Sequence, residues 1–166
     1  MEPKTVRRAL GAGFPARHIA PEDACNALPT GMVVLTLDGA LPVEFLNEGD
    51  RVISRNSGVA TLTSIRRCKR RVEAVAIKPG TLGVSRPDRD ALIPARQEVL
   101  VRDWRAATLF GASQALVPAA RLIDGEFIRS VGEVDLDLFE MHFDNPHILY
   151  ADGLELASAT PASVMV

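Results

Sequence analysis

The residues able to do covalent or proton-transfer chemistry are few. Two thiols, Cys25 and Cys68, and three imidazoles, His18, His142 and His147, are spread along 166 residues. A thiol attacks a carbonyl only after activation to the thiolate, and an imidazole shuttles protons near neutral pH, so a cysteine and a histidine brought together would suit acyl transfer. His147 follows His142 by five positions, with Asp144 between them. In a reactive centre Asp144 or Asp152 would orient His147. The plainer reading makes both histidines satisfied structural residues on a strand and its turn, with Pro146 fixing the approach. Neither cysteine stands at zinc-ligand spacing from a histidine, and His142, Asp144 and His147 lack a third strong ligand, so no metal and no cofactor are expected. Nothing in the spacing requires a disulfide.

Positioning these groups falls to short strands. Segments rich in β-branched and aliphatic residues, separated by turn residues, are expected as strands at Met32–Thr36, Arg51–Ser54, Val59–Ile65, Val72–Ile77, Glu98–Arg102, Glu126–Val131, Val134–Phe143 and His147–Tyr150. The fold class is all-β. Asn56-Ser57-Gly58 predicts a hairpin joining Arg51–Ser54 to Val59–Ile65. Trp104–Phe110 and Ala115–Leu122 are the expected short helices, the second interrupted by Pro118. Within Val134–Phe143 the apolar positions change parity, which predicts a β-bulge near Leu138-Phe139 that keeps both sets inward. Residues 1–26 read as an extended lead-in over the domain surface, with one helical turn at Pro21–Ala24.

Charge narrows the partners. The formal net charge is −2, which gives no global pull toward nucleic acid or an anionic membrane. Arg66, Arg67, Lys69, Arg70 and Arg71 crowd around Cys68. Without aromatic residues to stack bases, the run reads as a solvated strand end that discourages edge pairing rather than a nucleic-acid patch. The acidic stripe of Asp135, Asp137, Glu140 and Asp144 offers a complement to that run in another copy of the chain, so a homo-oligomer is one candidate assembly. Trp104 reads as a cap on the core. The longest apolar runs have strand length and no signal peptide is evident, so a cytoplasmic protein is expected.

The stretch Gly31–Thr36, Asp38-Gly39, Pro42–Leu46 and Gly49–Val52 resembles the opening of the Hint (Hedgehog/intein) superfamily, especially its bacterial Hint-domain branch. The likeness continues through Ile77–Gly83, Arg86–Leu92, Leu109–Gly111, Leu116–Ala119 and the closing His142–Asp144 and His147–Leu154. It implies a compact pseudo-twofold β-domain over residues 27–158, after the lead-in 1–26 and before a short tail 159–166. In that family a cysteine four residues before the opening strand attacks the preceding carbonyl, and the histidine of a Thr/Ser-x-x-His element acts on the scissile nitrogen. The nucleophile position here is Ala27. The Ser-x-x-His element falls on Pro94-Ala95-Arg96-Gln97, so Pro94 replaces the hydroxyl and Gln97 the imidazole. A later Glu-Ser pair appears as Ala157-Ser158. The resemblance therefore implies a catalytically degenerate domain retained as a binding or structural module for an unknown protein partner, with no downstream segment to splice. Two alternatives stand beside it: an active self-processing domain that uses Cys25, cleaving after Ala24 with help from His147, and an unrelated β-rich binding domain.

Overall fold

The computed structural model describes residues 14–159. Four strands form one sheet in the order β1, β10, β6, β7: Leu28–Pro29, Ile128–His142, Ser64–Ile77 and Ala91–Pro94. A second sheet runs β3, β2, β4, β11, β12, β8, β9: Gly39–Pro42, Val33–Thr36, Arg51–Ser54, Ile148–Ala151, Leu154–Ala157, Glu98–Val101 and Ala115–Pro118. Strand β5, Gly58–Thr61, hangs on β4. The expected hairpin is present, with Ser54 opposite Gly58 across the Asn56-Ser57 turn. Helix α1, Trp104–Phe110, also lies where the sequence placed it, and the Asp103 carboxylate caps it by accepting from the Arg105 N–H.

The all-β class holds, but three local expectations change. Ala115–Leu122 is not an interrupted helix. Its first half is β9, paired with β8 from Glu98↔Pro118 to Val101↔Ala115, and only Ala119–Leu122 turns as a 310 helix. Pro118 ends the strand instead of kinking a helix. Val59–Ile65 breaks before Ser64, the strand expected at Val72–Ile77 begins at Ser64, and the two expected at Glu126–Val131 and Val134–Phe143 are the single strand β10; β6 and β10 form a ribbon paired from Ile77↔Ile128 to Ser64↔His142.

The third change concerns the bulge. It falls between Ser130 and Gly132, not at Leu138-Phe139. Gly132 has φ +78°, a conformation glycine adopts without a Cβ penalty. The extra residue reverses parity, so that Ile128 before it and Phe139 and Met141 after it all enter the main core with Val75 and Ile77. Leu136 and Leu138 face the other way. They are not wasted on solvent, because they pack with Cys68 and Val72 of β6 into a second, small core against Cys25 and Ala27. Two apolar parities on one strand mean two cores.

The larger sheet is likewise covered on both faces. Val99, Val101, Val117, Leu149 and Leu156 enter the main core. Leu100, Leu116, Ile148 and Ala157 form a cluster on the opposite face, against which Phe14 of the lead-in packs. Trp104 does not cap the core: it is 62% exposed, with the Arg105 guanidinium 4.7 Å from its ring.

Candidate functional site

Three chain segments meet where the lead-in enters the domain. Cys25-Asn26-Ala27 runs alongside Arg96-Gln97-Glu98: the Cys25 N–H donates to the Arg96 carbonyl at 3.1 Å. Asn26 and Glu98 bond reciprocally, the Glu98 N–H reaching Asn26 Oδ1 at 2.8 Å and Asn26 Nδ2 reaching Glu98 Oε1 at 2.8 Å. Gln97 then links to the closing strand, its Nε2 donating to the carbonyls of Glu98 at 2.9 Å and Ala157 at 3.1 Å. Ser158 completes the chain of contacts, since its Oγ accepts from the His147 N–H at 3.1 Å.

The groups gathered here are poor in reactivity. Ala27 is almost fully buried and its methyl faces the small core beside Cys25 and Leu138. Gln97 is wholly buried and its amide N–H groups are spent on two carbonyls, while its Oε1 has no hydrogen-bond partner. Turning the amide over would set oxygen against both carbonyls, so the orientation is fixed by chemistry. Pro94 pairs with Ala74 at the end of β7 and offers no hydroxyl.

Cys25 lies at the rim of a cavity of about 240 Å³ lined also by Arg70, Val72, Pro94 and Arg96. Burial pushes its thiol above the ordinary cysteine range, against the pull of the nearby Arg70 guanidinium, whose Nη1 is 3.8 Å from Sγ. A thiol held protonated is a weak nucleophile.

His147 is buried, but not beside Ala27 or Gln97 by any direct hydrogen bond. Its Nδ1 lies 2.9 Å from Ser54 Oγ and 3.1 Å from Ser57 Oγ, and its ring meets Phe143 edge-on. Asp144 is exposed on the preceding turn. Asp152 is engaged elsewhere, accepting from the Val33 N–H at 3.2 Å and pairing with Arg89 at 3.0 Å. Asn56 ties the hairpin turn to the same region by donating to the Pro146 carbonyl and accepting from the Ile148 N–H. These contacts make His147 part of a latch between the β4–β5 turn and β11.

Desolvation lowers the His147 pKa below the usual imidazole value. The unfolded chain then binds the proton more readily, so this histidine's contribution is present above about pH 6.5 and is lost as pH falls toward the depressed folded value. Unfolding in urea at stepped pH is expected to show that loss, and His147→Gln to flatten the step. An unchanged slope in the variant would assign it to other groups.

Sequence reasoning missed the most strongly held part of this region. Arg17 clamps the wholly buried Glu98 carboxylate through Nε at 3.0 Å and through Nη2, from 81 positions away. The lead-in thereby joins the larger sheet, with Arg17 bridging to Leu116 in parallel. The only legible signal was Glu98 itself, a carboxylate among the apolar residues of a strand.

The basic run on β6 also reads differently in space. Arg66 pairs with Glu140, Arg67 with Asp137, and Arg71 with Glu133 and Asp135. The acidic stripe expected to meet another copy is largely engaged by its own neighbouring strand. Among the described residues, no three His, Cys, Asp or Glu side chains converge as metal ligands, and no helix is long and apolar enough to cross a membrane.

The fold is thus a two-sheet β-domain in which the lead-in, the end of β7 and the closing strand converge. The family model for the Hint domain matches residues 26–163, and the chain belongs to that family. Its fold is similar to a bacterial intein-like domain from Clostridium thermocellum, at 15% identity and a TM-score of 0.54, covering 81% of this chain and 99% of that one. It is also similar to the MchDnaB-1 intein, at 12% identity and a TM-score of 0.53, covering 80% and 99%. No curated protein matches the sequence.

Proposed function

We propose that this Hint domain carries out no peptide-bond chemistry and serves as a binding or structural module. The observation that carries the reading is Gln97, which the resemblance sets at the imidazole position: it is fully buried, with its amide N–H groups committed to the Glu98 and Ala157 carbonyls. Such a side chain braces two strands and cannot exchange a proton at neutral pH. Ala27 supports the same reading, because a methyl group has no nucleophilic atom. The alternative nucleophile, Cys25, is buried with its thiol held protonated, which disfavours self-cleavage after Ala24.

Intact mass tests this directly. The chain incubated with a thiol or hydroxylamine is expected to keep its full 17.9 kDa. Release of a fragment ending at residue 24 or 26 would overturn the proposal. The paired substitution Ala27→Cys and Gln97→His supplies the missing thiol and imidazole on the existing scaffold, and cleavage before residue 27 in that variant alone is the expected gain of activity.

A further inference from the structure

Glu155 on β12 is 3% exposed, and three arginines converge on it. Arg102, at the end of β8, holds it as a fork, Nε to Oε1 at 3.1 Å and Nη2 to Oε2 at 2.7 Å. Arg55, just beyond β4, comes within 3.5 Å of Oε1, and Arg86, from the loop between β6 and β7, within 3.4 Å of Oε2. The last two contacts are too long to be strong hydrogen bonds. Three guanidiniums and one carboxylate leave two positive charges uncompensated. The Asp103 carboxylate also lies near Arg86, but it is taken up by Arg105.

The cluster holds unspent donors. Arg86 Nε is shielded from solvent and has no acceptor, and such an N–H ordinarily finds a partner because leaving it unmet is costly. Burial, with Arg102 and Arg55 close by, lowers the Arg86 pKa despite the pull of Glu155. The Arg55 and Arg102 side chains remain about one-third exposed, so the cluster is open to a solute. This is the reverse of the β6 ribbon, where Arg66, Arg67 and Arg71 each have acidic partners on the facing strand.

We infer that Arg55, Arg86 and Arg102 form a binding site for a doubly charged oxyanion of the phosphate class, with Glu155 as the built-in anion that gathers the guanidiniums. Planar guanidinium forks match tetrahedral oxyanions bidentately, and a dianion matches the excess charge. The site is separate from the Ala27–Gln97 region and stands whether or not that region is inert.

Calorimetric titration of the whole chain at constant ionic strength tests the inference. Inorganic phosphate and phosphoserine are the two arms; a saturable response to either, with Kd at or below about 1 mM, supports the site, and the tighter arm names the source. Arg55→Gln is expected to weaken binding about tenfold, by the loss of one charge-assisted contact. Glu155→Gln, which removes the competing anion, is expected to tighten it several-fold where circular dichroism shows the variant folded. A purely structural arginine cluster would bind no anion in the wild-type chain. A flat titration in both arms, a response that chloride reproduces at equal ionic strength, or unchanged affinity in folded Arg55→Gln would overturn it.

Discussion

Glu98→Ala is expected to destabilise the domain by about 3 kcal/mol, the lower end of what breaking a buried ion pair costs. The carboxylate is fully buried and accepts from Arg17 and from Asn26 Nδ2. Removing it leaves Asn26 Nδ2 without its acceptor on a residue only 5% exposed. Arg17, with its side chain 20% exposed, can turn outward, which keeps the loss at the lower end. The same change releases the lead-in, because Arg17 carries both the clamp on Glu98 and the stacking contact over Phe14, 5.3 Å from its ring. Urea unfolding measures the first effect. Limited proteolysis measures the second, with new cuts expected between residues 14 and 26. A loss below roughly 1 kcal/mol, the scale of an ordinary surface substitution, would mean that the lead-in is held by the Phe14 packing and its backbone bonds to Leu116 and Arg96 instead.

That prediction also marks the limit of what sequence could supply. Strands β2, β4, β5, β6, β8, β10 and β11, the Asn56-Ser57-Gly58 hairpin and α1 were legible because each depends on neighbours within a few positions, whereas the short strands β1, β3, β7, β9 and β12 were not read. The family was legible too, since the glycines and turns of Gly31–Val52 are local signals and the Hint-domain model matches residues 26–163. What escaped were pairings set by long loops. Arg17 and Glu98 stand 81 positions apart, Asn26 and Glu98 72. Arg55, Arg86 and Arg102 are single residues in three separate segments, whereas the conspicuous run at Arg66–Arg71 turned out to be largely neutralised across the ribbon. Charge density along a chain is thus a poor guide to charge density in space. Ala115–Pro118 was misread for a related reason: its partner strand β8 and the bridging Arg17 decide its conformation, and neither is adjacent in sequence.

The role of the Arg86–Leu92 run, prominent in the family likeness, is also visible only in three dimensions. Its Asp88 N–H donates to the Asp152 carbonyl at 3.0 Å, and Arg89 reaches both the Asp152 carboxylate and the Gly31 carbonyl. The run therefore clamps the closing hairpin to the opening strand. Gly153 permits that clamp.

Gly153→Ala is accordingly expected to cost about 3 kcal/mol, combining left-handed strain with a backbone clash. The glycine has φ +82°, and an added Cβ would stand 2.3 Å from the Ser85 carbonyl oxygen and 2.8 Å from the Asp88 nitrogen. Both are main-chain atoms, so no side-chain rotation relieves the contact. Gly58→Ala is the matched control: at φ +87° it carries the same kind of strain, but its Cβ would meet nothing within 4 Å. Thermal unfolding should place Gly153→Ala roughly 6–12 °C below the wild type and Gly58→Ala only a few degrees below it. Equal shifts would show that the loop moves aside without penalty. Because Arg86 rides on the displaced loop, Gly153→Ala should also weaken phosphate binding, whereas Gly58→Ala should leave it intact. This separates the clamp's effect on the arginine cluster from any general loss of stability.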